Sequence, residues 1–389
     1  MLVMIAAVPS SQPCDPDLPS PTAVSARKPP ATTRRPTMTD VAKAAGVSQS
    51  TVSMVLNNMS GARLSDATRA RVLSLAVELG YRLPRRETSA ALPHAATAAP
   101  DTSLPPRRNL IGYLVDEIST SPHPVVSVDG ARDAAWEHDC LVSVMVTRGN
   151  AQQEAEAIAA LRAHPQLLGI VYSTIFTRAV TVPAALRDPA ACPVVLLNCH
   201  DDSCRLPSIV PAEVAGGHTG TDHLIAAGHS RIGFINGEPW MEAAKDRLKG
   251  YRRALATADL PFDPDLVRDG DWMSSTGFDA TLALMRLQRP PTAIFCANDL
   301  MALGALEALA QLGLRVPEDV AVLGYDDQEI SRHTHPPLTT MVLPNYEMGR
   351  AAVEALLAEA RLPAEQRGSR RSLIKIDGPL VERETVRRR

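Results

Sequence analysis

Aromatic residues are scarce in this 389-residue chain, 4% against 45% hydrophobic residues overall. Its cores must therefore be packed by Ala, Leu and Val rather than by ring stacking. No apolar run approaches the ~18 residues that cross a bilayer. The apolar start, residues 1–8, is far shorter than a span and lacks the basic residues that open a secretory signal. Export and membrane anchoring are thus not expected, and a cytoplasmic location is. The six cysteines, Cys14, Cys140, Cys192, Cys199, Cys204 and Cys296, form no C-x-x-C pair, and most adjoin apolar stretches, as reduced core thiols do. Cys199, His200 and Cys204 stand near one another, but their spacing fits no zinc pattern. His218, His223 and His229 read as helix and turn residues. A P-loop, a nucleophile elbow and a zinc-hydrolase helix are all missing. Nothing here demands catalysis, and no metal or cofactor is expected.

What is present is length and a charge asymmetry. At ~100–200 residues per domain the chain should form two or three units. The net charge of −3 hides a segment, residues 34–86, with nine Lys/Arg and three Asp/Glu, leaving the remainder at −9. Only that segment is suited to a polyanion. Before it, residues 1–36 are rich in Pro, Ser and Ala and lack periodicity, so they read as a disordered tail, or as the product of a start codon set too early. After it, a Pro/Ala-rich stretch, residues 83–109, has the composition of an extended linker. Between the two, Val41, Ala44, Ala45, Val52, Val55, Leu56, Val72, Leu75, Ala76 and Leu79 recur at helical spacing, which predicts three short helices around one small core. From residue 110 onward, buried-strand patterns such as LIGYLV, PVVLLN, TAIFCA and VAVLGY alternate with amphipathic helical stretches. That alternation predicts parallel sheets wound with helices.

In TMTDVAKAAGVSQSTVSMVLNN, Thr39 can cap a first helix, Gly46-Val47-Ser48 can form a tight turn, and Ser48 can cap a second helix ending near Asn57. On that second helix Val52, Val55 and Leu56 face the core, leaving Gln49, Ser50, Ser53 and Met54 toward a groove. Gln pairs with adenine in bidentate fashion, whereas Ser discriminates less. Thr51 and Asn57 flank this surface. Ser65 can cap a third helix, and Arg63, Arg69 and Arg71 can contact phosphates, adding affinity without sequence information.

The strings DVAKAAGVSQSTVSMVLNN and LSDATRARVLSLAVELGYR closely resemble the N-terminal signature of the lac repressor/galactose repressor family. GHSRIGFINGEP, DRLKGYRRAL, AIFCANDLMALGALEAL, VPEDVAVLGYDD and PPLTTMVLP resemble its effector-binding module. The resemblance implies a small all-α helix-turn-helix domain, residues 37–82, joined to a two-lobed α/β domain with parallel sheets, like periplasmic binding proteins, over residues 110–385. One lobe is expected at about 110–228 with 327–345 and the other at about 229–326 with 346–385, with ligand between them at the strand C-termini. It further implies a homodimeric repressor on palindromic double-stranded operator DNA, released or engaged by a small molecule, expected to be a sugar. Arg247 matches the family's effector-binding arginine and Asp299 its aspartate, with Asn298 beside it. Trp272 lies where the family often has an aromatic that packs on a sugar ring.

Three positions depart from the family pattern. Met54 replaces an arginine on the second helix. Residues 83–96 lack the usual hinge-helix text, leaving Leu92 as the one minor-groove wedge candidate. Ala212-Glu213 stands where the family has Asp-Asn, so one customary polar contact is missing. Two other classes share the sensor architecture. A sugar-binding transport component would carry a signal peptide and no basic helices, and a doubly wound enzyme would turn over its ligand.

Overall fold

The computed structural model describes residues 38–56, 65–79, 81, 108–203, 206–368 and 372–388. The expected tail and most of the expected linker, with Asn57, Arg63 and Leu92, lie outside these residues.

Three helices open the described chain: α1 (Met38–Ala45), α2 (Gln49–Leu56) and α3 (Asp66–Glu78). Between α1 and α2 the backbone reverses at Gly46, whose φ of +63° is the left-handed conformation that glycine adopts without a Cβ penalty. Ser48 caps α2 by accepting from the Thr51 amide at 3.1 Å, and Ser65 caps α3 by accepting from the Thr68 amide at 3.2 Å. Thr39 does not cap α1; the helix already begins at Met38, which places Thr39 in its first turn. The three helices close on Val41, Ala42, Ala45, Val47, Val52, Val55, Val72 and Ala76. Ala44 and Leu79 were expected in this core but face solvent.

The remaining chain builds two six-stranded sheets. The first holds β1 (Asn109–Val115), β2 (Cys140–Val146), β3 (Leu167–Ala179), β4 (Val194–His200) and β5 (Ser208–Pro211), with helices α4 (His123–Glu137) and α5 (Ala151–Arg162). Next come α6 (Glu213–Ala226), β6 (Ile232–Asn236), α7 (Glu242–Thr257), β7 (Val267–Asp269), α8 (Ser274–Met285), β8 (Ala293–Cys296), α9 (Asp299–Gln311), β9 (Ala321–Asp326) and β10 (Thr339–Val342). The chain then returns through α10 (Asn345–Arg361), β11 (Leu373–Ile376) and β12 (Leu380–Val381). Strand order is β11-β5-β4-β3-β1-β2 in the first sheet and β12-β10-β9-β8-β6-β7 in the second. Every pairing is parallel except β10 with β12.

Parallel strands covered by helices on both faces bury alternate residues into two cores. In β1, Ile111, Tyr113 and Val115 enter the core shared with α4 and α10, whereas Leu114 enters the one shared with α5. The second sheet is packed by Phe234, Tyr251, Phe295 and Tyr325 amid aliphatic residues. The few rings of this chain are thus concentrated there.

The lobes divide differently from the expected boundaries. Helix α6 belongs to the second lobe because its glycine face lets it lie directly on α7: a Cβ on Gly217 would come 2.3 Å from the Arg247 carbonyl oxygen, and one on Gly250 would come 2.3 Å from that of Val214. The return segments are exchanged as well. Strand β10 adds to the second sheet, not the first, while α10 and β11 belong to the first. A Cβ on Gly349 would come 1.9 Å from the Ser127 carbonyl oxygen, so α10 is seated against α4 by contact that only glycine permits. The chain crosses between lobes three times, at residues 211–213, 342–345 and 376–380. These crossings are stitched together, Ala212 N–H donating to the Ile376 carbonyl at 2.9 Å and Val342 N–H to that of Pro379 at 2.8 Å.

Candidate functional site

Strand C-termini of both sheets converge on a cleft between the lobes, with a cavity of about 230 Å³. The first lobe contributes Thr120, His123, Ile175, Phe176, Thr177 and Asn198. The second contributes Glu213, Arg247, Trp272, Met273, Asn298, Asp326 and Gln328, and the crossing segment adds Leu343 and Asn345. Mixed apolar walls with a few fixed polar groups are the usual composition of a small-molecule site.

Arg247, on α7, is 3% exposed. Its Nε donates to Glu213 Oε2 at 2.7 Å and its Nη2 to Glu213 Oε1 at 2.9 Å. Its Nη1 donates to the Ala297 carbonyl and, at 3.4 Å, to Asp326 Oδ1. One face of the guanidinium lies 3.6 Å over the Tyr325 ring. Burial opposes the arginine's charge, but Glu213 and Asp326 outweigh it and raise its pKa above the ordinary value. The expected effector arginine does line the cavity, but its fork is already held by protein carboxylates.

Asp299 does not line the cavity. It lies behind it, 1% exposed, accepting from Thr340 Oγ1 at 2.5 Å and from the Gln328 amide at 2.7 Å. The expectation that it touches ligand is corrected: it braces the start of α9 against β10 and the segment after β9. Burial, aided by nearby Asp326, raises its pKa well above the ordinary carboxylate value.

Asn298 lines the cavity, but its amide is also committed. Its Oδ1 accepts from the Met301 amide at 2.9 Å, capping α9, and its Nδ2 donates to the Trp272 carbonyl at 2.9 Å. That second bond helps hold Trp272 at a φ of +70°, a conformation a bulky residue rarely adopts. The Trp272 indole packs over Gly237, where a Cβ would fall 2.0 Å from the ring, and its Nε1 points to Met241 Sδ at 2.9 Å. Trp272 therefore both flanks the core and presents an aromatic surface to the cavity.

Several site residues were not singled out from the sequence. His123, the first residue of α4, lies with Nε2 3.5 Å from Asp326 and Nδ1 3.1 Å from Asn345 Nδ2, joining the first lobe to the second and to the crossing. Although burial pushes the Asp326 carboxyl up, His123 and then Arg247 hold it below its ordinary value. Asn198 has a φ of +58° and accepts from Thr177 Oγ1 at 2.6 Å. At the rim, His200 Nε2 lies 3.1 Å from Glu242 Oε2 across the lobes. The available signal was positional: Asn198 and Asp326 both terminate or nearly terminate a buried strand pattern, where open α/β sheets bind ligands. Among the described residues no three His, Cys, Asp or Glu side chains are grouped to hold a metal ion.

On α2 the arrangement differs from the expected groove-facing surface. Ser48 Oγ donates to Glu238 Oε2 at 3.0 Å and Thr51 Oγ1 donates to Glu238 Oε1 at 2.6 Å. Burial raises the pKa of this glutamate. Ser48, Thr51 and Met54 recur every third residue along one helical face, and all three are buried. Met54 is therefore covered in this structure rather than open to a groove. Gln49, Ser50 and Ser53 lie on the same helix.

Residues 37–83 match the model for bacterial regulatory proteins of the lacI family, and residues 221–386 match that for a periplasmic binding protein-like domain. The chain is 32% identical over 321 residues to the HTH-type transcriptional repressor PurR of Aliivibrio salmonicida, covering 82% of this chain and 91% of that protein. It is 31% identical over 330 residues to the ribose operon repressor of Haemophilus influenzae, covering 85% and 93%. Among solved structures, it is similar to the transcriptional regulator CelR in its cellobiose complex, with 29% identity, a TM-score of 0.57 and coverage of 90% and 100%. It is likewise similar to the lac repressor dimer bound to operator and the anti-inducer ONPF, with 28% identity, a TM-score of 0.59 and coverage of 90% and 99%.

Proposed function

The chain belongs to the lacI family of bacterial regulatory proteins, and from that premise we propose that its interlobe cleft holds a sugar whose binding sets the operator affinity of α1–α3. It is a DNA-binding transcription repressor with an effector-binding sensor domain. The observation that carries the sugar reading is the cleft itself, where Trp272 and Phe176 offer ring surfaces beside fixed polar groups at strand C-termini. Two relatives favour it by name: the ribose operon repressor and the cellobiose complex of CelR. The relatives are repressors rather than enzymes, and we read this chain as binding its ligand without turnover. No helix among the described residues is long and apolar enough to cross a membrane, and we place the protein with its DNA in the cytoplasm.

A ligand moves such an equilibrium only through its different affinities for the operator-binding and released states. The test is operator binding by the full chain, titrated with candidate sugars and repeated for Trp272→Ala. Loss of the ring's apolar surface, ~1.5–3 kcal/mol, should raise the sugar concentration that shifts DNA binding by about tenfold or more. Thermal melting checks that the variant is folded. An unchanged sugar response in a folded Trp272→Ala protein would remove the ring from the effector site.

A further inference from the structure

We propose that the cleft discriminates against anionic effectors, and that Glu213 is the residue that sets this selection. The inference rests on the reading of the cleft as the sugar site. Of the side chains lining the cavity, Arg247 is the one arginine or lysine. A guanidinium has five N–H groups, and in Arg247 four are already directed at protein oxygens: two at Glu213, one at Ala297 and one at Asp326. Tyr325 covers one face. A phosphate or carboxylate entering the cleft would find no free bidentate fork.

The electrostatics act in the same direction. Two carboxylates, Glu213 and Asp326, surround this guanidinium, both nearly excluded from water. Asp326 is also met by His123 and by Gln328 Nε2 at 3.1 Å. An anionic ligand would have to displace Glu213 from Arg247 and leave that carboxylate buried without its partner, which is costly in a low-dielectric site. A neutral ligand leaves the Glu213–Arg247 pair intact. It can donate hydroxyl protons to remaining lone pairs, while its apolar faces meet Ile175, Phe176, Trp272 and Met273. Glu213 stands where the resemblance noted a departure from the family, so the selection belongs to this chain's own sequence.

The experiment is titration calorimetry of the full chain with neutral sugars (glucose, galactose, ribose and cellobiose), their terminal phosphates, the corresponding uronic acids, and adenine as a neutral heterocycle. The expected result is binding of at least one neutral sugar, with its phosphate and uronic acid weaker by a hundredfold or more. Binding of a phosphate or a uronic acid as tightly as the neutral sugar would overturn the inference. Binding of adenine and no sugar would overturn the sugar reading and leave the charge selection standing; no binding across the panel would count against both. Glu213→Gln should let the anionic counterpart of the bound sugar gain about tenfold or more in affinity, and Glu213→Asp, which keeps the charge, should not. If Glu213→Gln fails to melt cooperatively, the parent's preference and the Glu213→Asp result decide.

Discussion

Arg247 is tied to its partners closely enough that its removal tests the fold before it tests ligand binding. Arg247→Ala would leave Glu213 and Asp326 buried without their cation, and breaking a buried pair from one side costs ~3–5 kcal/mol. Denaturant unfolding should show that loss, and a shift below about 1 kcal/mol would mean the pair is solvated in solution. Asp299 makes an opposite, pH-dependent prediction. Its carboxyl is raised in the folded chain and returns to ~3.9 on unfolding. The folded state therefore holds that proton more tightly, so the site's stabilisation is complete below the unfolded value and is lost as pH rises through the folded one. Asp299→Asn cannot titrate, so between pH ~4 and 7 its stability should fall less than the parent's, as measured by unfolding across that range. Parallel curves for the two proteins would show that Asp299 titrates normally. Arg247 could be placed in the cleft from its position in DRLKGY, but not its occupied fork, because Glu213, Ala297 and Asp326 come from three separate parts of the chain. Asp299 was misjudged for a related reason: its match to the family's aspartate says nothing of Thr340 and the Gln328 amide, which come from later segments and hold the carboxylate behind the site.

At the scale of elements, the sequence was most legible where one local rule governs. Gly46 with Ser48, and Ser65 with Thr68, announce their turn and caps within four residues, and the structure forms them. Ser65→Ala should therefore cost ~1 kcal/mol, read as a lower midpoint for the transition reported by the N-terminal helices. No change there would place the end of α3 outside the cooperative unit. The lobe boundaries were less legible. Whether α6 and α10 join one lobe or the other is decided by contacts between separate elements, about thirty residues apart for Gly217 against Arg247 and more than two hundred for Gly349 against Ser127 and Tyr346 against Gly130. Glycines scattered through a helix look like weak points until the partner helix is known. Here they are where backbones touch, and Gly349→Val should separate α10 from α4 and destabilise by several kcal/mol, as overpacking does in a site that cannot yield. Retention of the parent's melting temperature would mean that α10 moves freely on α4.

For the whole molecule, pairing two copies matches one helix-turn-helix to each half of a palindromic operator. The first lobe leaves Val125 and Val126 on α4 and Leu141, Val144 and Val146 on the edge strand β2 exposed in the single chain. Sedimentation should find a dimer, and Val126→Glu with Val144→Glu should shift it toward monomer. A monomer in the parent, with or without operator, would remove this assembly. The three stitched crossings carry a different consequence. They leave through β5, β11, β10 and β12, which all lie at one edge of the two sheets, whereas β2 and β7 form the opposite edges. The lobes thus resemble two covers of a book bound along one spine, and motion must grow with distance from the binding. Spectroscopic labels at Arg148 and Asp269, beside the free edges, should change separation when sugar binds, while labels at Lys375 and Glu382, beside the spine, should scarcely move. Equal displacement of both pairs would mean that the lobes slide rather than pivot.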